Sequence, residues 1–269
     1  MTVEPESLRA VAVSVAREAA DWLRSARPAG RIPVSATKSS PTDPVTAFDT
    51  AVQQLLRDRL HELRPEDGFV GEEGGDEPGG SGVVWVVDPI DGTVNFMYGL
   101  PAYAVSVAAR VGTTVLAGCV INVVSAEEFS AARGLGATRR ESAATEPTRL
   151  QVPTAPPLDQ ALVATGFSYD LDTRLRQAAA VGRLLSHVRD VRRFGAASLD
   201  LCAVAAGRVD AYVEQGLQPW DLAAGGLVAE EAGAVVLGVD GGAADQRLVL
   251  ASVPGLAQPL AALVGRCGF

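Results

Sequence analysis

The feature that most constrains this chain is the run Val83-Val84-Trp85-Val86-Val87, followed at once by Asp88-Pro89-Ile90-Asp91-Gly92-Thr93. Consecutive apolar, mostly β-branched residues describe a buried strand. Such a strand needs apolar layers packed on it, so a layered α/β or α+β domain is expected rather than a helix bundle. Asp88 closes the run and Pro89 cannot donate to a ladder, which predicts that the strand ends there. Asp88 and Asp91, with the Ile90 carbonyl between them, can converge on one point. Gly92 permits close backbone approach, and a turn or helix beginning at Gly92-Thr93 leaves N–H groups free for an anion. Carboxylates for a cation beside donors for phosphate oxygens suit a metal-bridged phosphate. A capped turn after a core strand fits the same residues equally well.

The rest of the chain supplies the layers. Leu8, Val11, Val15, Ala19 and Trp22 recur at helical spacing, as do Val52, Leu55, Leu56, Leu60 and Leu63. Between these helices, 30–41 reads as a mobile loop, and Asp43-Pro44 reads as an N-cap with proline at the first helical position. Segments 103–111 and 115–124 read as strands joined at Gly112, and 128–132 as another. The stretch 141–159 holds four prolines and reads as a crossover. Beyond it strands are expected at 161–165, 210–214, 234–237 and 247–251. Helices are expected at 172–187, 195–206, 220–232 and 256–265. Two units follow: an α+β half at 1–145 with an antiparallel sheet, and an α/β half at 146–269.

Composition excludes several chemistries. The chain carries 32 Asp+Glu against 23 Lys+Arg, a net charge of −9, which opposes nucleic-acid binding. Two histidines, His61 and His187, and three scattered cysteines cannot build a zinc cage, and no nucleophile motif stands near either histidine. Oxygen ligands are abundant, so a metal here should be a hard one. No apolar run reaches membrane-span length, and the N-terminus lacks a basic patch before an apolar core. With cysteines at 119, 202 and 267 suggesting no disulfide framework, a cytoplasmic protein is expected.

Two further acidic spots lie at the ends of expected elements. Glu72-Glu73 follows the short strand at Phe69-Val70 within a glycine-rich turn and, taken alone, reads as a solvated turn. Asp221 stands at the start of an Ala-rich helix and, taken alone, reads as its cap.

Together and in this order, with Lys38-Ser-Ser-Pro-Thr-Asp-Pro-Val-Thr46 upstream, these spots resemble the inositol monophosphatase family of magnesium-dependent, lithium-sensitive phosphatases. The patterns that carry the resemblance are Trp85-Val-Val-Asp-Pro-Ile-Asp-Gly-Thr-Val-Asn-Phe96 and Trp220-Asp-Leu-Ala-Ala-Gly-Gly-Leu-Val-Ala-Glu-Glu-Ala-Gly233. Other segments look closest to the family's actinobacterial SuhB-type members. The resemblance implies a layered αβαβα sandwich of the sugar-phosphatase type, a homodimer, and a small phosphorylated polyol as substrate, myo-inositol 1-phosphate first. It implies two or three Mg²⁺ per site. Glu72, Asp88 and the Ile90 carbonyl hold the first, and Asp88, Asp91 and Asp221 the second. A weaker third sits near Glu72, with Glu73 in support. It places phosphate on the Gly92 and Thr93 N–H groups, with Asp49 pairing Thr93 and Glu72 or that pair activating water. Lys38 falls on the loop near the entrance. Polyol contacts fall on Asp91, Gly195, Ala196, Ala197, Glu214 and the Asp221 side. Ala196 stands where many relatives carry a hydroxyl. Phosphatases of histidinol phosphate, fructose 1,6-bisphosphate or adenosine 3',5'-bisphosphate share the metal motifs, and a regulatory protein-binding role is the alternative of a different class.

Overall fold

A computed structural model describes residues 4–38, 40–142 and 144–269. Met1 to Val3, Ser39 of the entrance loop and Ala143 of the expected crossover lie outside the described residues. The chain opens with α1 (Pro5–Ala26), the short strands β1 (Ala36–Thr37) and β2 (Pro44–Val45), and α2 (Ala47–Leu63). Next come β3 (Gly68–Gly71), β4 (Val83–Asp91), α3 (Thr93–Tyr98), β5 (Ala104–Val111), β6 (Thr114–Asn122), β7 (Glu128–Ala132), β8 (Gly136–Arg140) and β9 (Thr148–Arg149). The remainder is β10 (Leu162–Thr165), α4 (Leu171–Leu184), β11 (Asp190–Arg192), α5 (Ala197–Ala205), β12 (Ala211–Glu214), α6 (Pro219–Glu231), β13 (Val235–Leu237), β14 (Val249–Ser252) and α7 (Pro254–Cys267).

Strands β3 to β9 form a seven-stranded sheet in chain order. Its pairs are antiparallel except β3–β4, which is parallel. A mixed five-stranded sheet has the order β11-β10-β12-β14-β13. Strand alternation assigns the apolar residues to layers. Val83, Trp85 and Val87 of β4 pack with α1 and α2, whereas Val86 joins the opposite face. Val105, Val107 and Ala109 of β5 follow the first face, and Ala104 and Ala108 the second. Helices α5 and α6 cover that second face through Cys202, Ala224 and Leu227, and meet the smaller sheet through Leu201, Val204 and Ala229. Helix α7 closes the far side of the smaller sheet with Leu256, Leu260 and Leu263. The result is the expected αβαβα sandwich, with α5 and α6 as its shared middle layer.

That middle position explains the composition of α6. A helix enclosed by two sheets and a neighbouring helix has no polar face to display, and Ala223 to Ala229 are all buried. Small residues also set the spacing. A Cβ on Gly118 of β6 would lie 2.9 Å from the Ala224 Cα, and one on Gly225 would lie 2.9 Å from the Ser198 carbonyl oxygen.

Several local expectations need correction. Pro44 does not open α2: it pairs with Thr37 in the β1–β2 hairpin. Thr46 is the N-cap instead, accepting from the Phe48 N–H while Asp49 reaches back to the Thr46 N–H. This reciprocal box satisfies two free donors where proline would satisfy none. Strand β4 does not end at Asp88 but runs to Asp91, with a register shift between them that accommodates Pro89. Strands β8, β9 and β11 are short and lack alternation, which is why periodicity missed them. Through β9 the large sheet extends beyond residue 145. No helix among the described residues is long and apolar enough to cross a membrane.

Gly118→Val is expected to destabilise the protein by about 1–3 kcal/mol, the usual cost of overpacking a filled core. Urea unfolding measures this, and an unshifted midpoint would refute the close approach of α6 to β6.

Candidate functional site

The cleft of about 490 Å³ is built where the ends of β3, β4 and β12 face the starts of α3, α5 and α6. Each acidic side chain reaches it for a local reason. Asp88 follows Val87 by one residue on β4, so alternation turns it away from the α1–α2 cluster. One of its oxygens accepts the Ile90 N–H at 3.0 Å. Asp221 occupies the N3 position of α6, and its Oδ2 accepts the Gln218 N–H at 2.7 Å. The capping reading of Asp221 therefore holds for one oxygen, which closes the capping box from N3 rather than from the N-cap itself.

Asp91 behaves differently. Its carboxylate accepts the Ala197 N–H at 3.1 Å, the Ser198 N–H at 2.7 Å and the Ser198 hydroxyl at 2.5 Å. Helix α5 has no side-chain cap of its own, since Ala196 stands at its N-cap. Asp91 supplies that cap from β4, across the cleft. The Gly195-Ala196-Ala197 turn thus lines the cleft, but the Ala197 donor is already committed.

One oxygen from each of Asp88, Asp91 and Asp221 lies within 4.8 Å of the others. Burial, then the charges of Glu72, Asp91 and Asp221, pushes the Asp88 carboxyl well above its ordinary range. Burial, then Asp91 and Glu72, does the same to Asp221. Asp91 is raised by burial despite its hydrogen bonds. Glu72 follows β3 and lines the same cleft, raised by burial although Lys38 pulls it down. Its carboxyl also interacts with Asp88, whose charge it repels. Lys38 binds Glu72 at 2.7 Å and Glu73 at 2.6 Å. Burial opposes the Lys38 ammonium, yet these two carboxylates outweigh it and raise its pKa. Glu73 thus meets the cluster through Lys38. The donor set is all oxygen, compact and mutually repulsive, which fits a hard divalent cation such as Mg²⁺.

Beside this cluster, Gly92 has φ +89°, and a Cβ there would lie 2.9 Å from the Ala102 carbonyl oxygen and 3.0 Å from that of Gly195. Only glycine fits between those backbones. Thr93 opens α3, and its hydroxyl lies 3.2 Å from Asp49 Oδ1 and 3.1 Å from the Ile90 carbonyl. Asp49 sits behind Thr93, also bound by the Thr46 hydroxyl, and burial raises it to about 6 against those bonds. Glu214, at the end of β12, is across the cleft. Burial lifts it to about 7, opposed by the Tyr212 hydroxyl, which donates to it at 2.6 Å. A Cβ on Gly166 would overlap Glu214, so that glycine clears its place.

Sequence reasoning missed Ser198, Asp200, Tyr212 and Arg193. Ser198 and Tyr212 act by gripping another site residue, and Arg193 works electrostatically on Asp91 and Glu214. None carries a local pattern that would set it apart.

A profile of the inositol monophosphatase family matches residues 4–267. An inositol-1-monophosphatase of Mycobacterium leprae is 49% identical, aligned over 98% of this chain and 95% of its own. The solved structure of Mycobacterium tuberculosis SuhB is 46% identical, with a TM-score of 0.84 over 98% of both chains. A Nus factor SuhB of Pseudomonas aeruginosa is 39% identical over 80% of this chain and 82% of its own. A match running through nearly every layer of the sandwich, including both strand ends and helix starts that form the cleft, means that the chain belongs to the inositol monophosphatase family and is a phosphatase.

Proposed function

We propose that this phosphatase hydrolyses the monoester of a small phosphorylated polyol, myo-inositol 1-phosphate first, with Mg²⁺ as its cofactor. The observation that carries this reading is the trio of Asp88, Asp91 and Asp221, the first two buried and the third half-buried, lining the same cleft as the Gly92–Thr93 turn. Glu72, Asp88 and the Ile90 carbonyl would hold one ion and Asp88, Asp91 and Asp221 a second, with a third near Glu72. Bound there, the ions would supply charge neutralisation for the ester dianion and lower the pKa of water.

The chain's own groups do the rest. The Gly92 and Thr93 N–H groups receive phosphate oxygens. Glu72, or Thr93 through Asp49, takes the proton of the attacking water, and the Thr93 hydroxyl is already within reach of the Asp49 carboxylate. Glu214 accepts a polyol hydroxyl, with the turn at Gly195, Ala196 and Ala197 closing the ring pocket and Asp221 beside the leaving oxygen. In-line transfer needs positioning and charge more than covalent chemistry. The names of the mycobacterial relatives support the inositol ester. Esters of histidinol, fructose bisphosphate and adenosine bisphosphate are the competing substrates, and phosphate release across that panel decides among them.

A homodimer is also inferred. Val34, Tyr98, Leu100 and Phe194 are large and exposed, and Asn95 ties the Phe194 and Ala102 carbonyls together beside α3. We place the protein in the cytoplasm, consistent with three buried free thiols. The Nus-factor names of more distant relatives favour a second, regulatory reading, tested by affinity capture with the transcription machinery.

Asp88→Asn separates the metal role from the fold. Among the described residues the Ile90 N–H and the Glu72 carboxyl bond to that side chain, and removing its charge relieves repulsion among Glu72, Asp91 and Asp221. The variant should lose activity by at least about a hundredfold, more than losing an outer partner of a metal ligand costs. It should melt no lower than wild type in EDTA and lose the rise in Tm on adding Mg²⁺. Retained turnover would refute the assignment.

The pH dependence of metal-free stability follows from Asp49 at about 6 and Glu214 at about 7, both raised from the values near 4 of an unfolded chain. The folded state binds protons more tightly, so this stabilisation is complete below pH about 4 and lost as pH rises through about 6–7. Melts in EDTA should show Tm falling between pH 5 and 8, with Mg²⁺ restoring it at pH 8. Li⁺ at tens of mM, roughly, should inhibit turnover by competing for the cation site; full activity there would count against the reading.

A further inference from the structure

The cleft contains a carboxyl for which the mechanism above has no use. Asp200 lies in the first turn of α5, is 1% exposed and lines the cleft. Its Oδ1 is buried and has no hydrogen-bond partner among the described residues. Buried polar atoms left unpaired are rare, and each one requires a reason. The helix dipole favours an acid near an N-terminus, which accounts for the position but not for an oxygen that meets no donor. The neighbours make the position worse. Burial, then the like charges of Glu214 and Asp91, pushes the Asp200 carboxyl well above its ordinary range, with Arg193 in partial opposition.

The residue one turn earlier offers this oxygen no donor. The Asp200 N–H donates to the Ala196 carbonyl at 3.0 Å, so positions 196 and 200 share one face of α5. The methyl of Ala196 offers no donor, and α5 is capped by Asp91 rather than by its own first residue. Across the cleft, Glu214 is fixed by Tyr212 on one of its oxygens. The cleft thus presents two further carboxyl groups from different elements, Glu214 from β12 and Asp200 from α5.

We propose that Asp200 determines specificity, its carboxyl pairing with a substrate hydroxyl other than the one Glu214 accepts. The inference rests on the polyol reading of the site. A hydroxyl both donates and accepts, so it can satisfy a carboxyl in either protonation state. The favoured ligand is a phosphate ester with several hydroxyls spread around a ring or chain. An ester without hydroxyls would leave Asp200 unpaired, and sites built to bond a hydroxyl reject analogues lacking it.

The experiment compares kcat/KM for myo-inositol 1-phosphate, sorbitol 6-phosphate and phenyl phosphate in wild type, Asp200→Leu and Asp200→Asn. Asp200→Leu should lower the ratio of the better polyol ester to phenyl phosphate by about tenfold or more, mainly through KM. Asp200→Asn, which keeps an oxygen and adds a donor, should recover most of that ratio. Since Leu removes an unpaired buried polar atom, its variant should melt at or above wild type. A ratio unchanged in Asp200→Leu, or a parallel fall in all three substrates with a lower Tm, overturns the inference and leaves the polyol reading standing. No preference for either polyol ester in wild type overturns both.

Discussion

The structure depends on the contact between Asp91 and the start of α5. The carboxylate at the end of the central strand takes two backbone N–H groups and a hydroxyl from a helix that begins 106 residues later in the chain, at the Ala197 N–H. Helix α5 belongs to the layer shared by both sheets, so this one contact fixes the end of the large sheet against the end of the small one. Everything that lines the cleft is referenced to it: Gly92 wedged between the Ala102 and Gly195 carbonyls, Thr93 at the start of α3, and Asp200 one turn into α5. The contact also offsets part of the cost of burying Asp91 among like charges, because helix N-termini favour anions.

The other acids obey the same economy to different degrees. Asp221 caps α6 with one oxygen, and Asp49 completes the capping box of α2. Among the described residues Asp88 takes a single backbone donor, the Ile90 N–H, and Glu72 shares Lys38 with Glu73. Capping bonds hold the periphery of the cluster, while its centre retains uncompensated charge that a divalent cation would neutralise. This gradient separates the acids that the fold holds with several bonds, such as Asp91, from those that it compensates little, such as Asp88.

The layered architecture was legible because each layer leaves a local trace. The alternation of β4 and β5, the helical stripes of α1 and α2, and the all-small face of α6 each record which sides of an element are covered. Strands β8, β9 and β11 left no such trace, because each is neither an apolar run nor an alternation of buried and exposed residues. Pro44 misled for a related reason, since proline is acceptable both at a helix start and on a short edge strand, and only the Thr46–Asp49 box decided between them.

The sequence by itself determined which acidic residues stand at element ends, because Asp88-Pro-Ile-Asp-Gly-Thr93 and Trp220-Asp221 are local patterns whose spacing limits where their side chains can point. Tertiary structure alone decided which of those ends meet. Ser198 on Asp91, Tyr212 on Glu214 and the unpaired oxygen of Asp200 arise from the register of one element on another. That register is set by the packing of α5 and α6 between two sheets, a non-local result of side-chain volume that no short window of residues encodes.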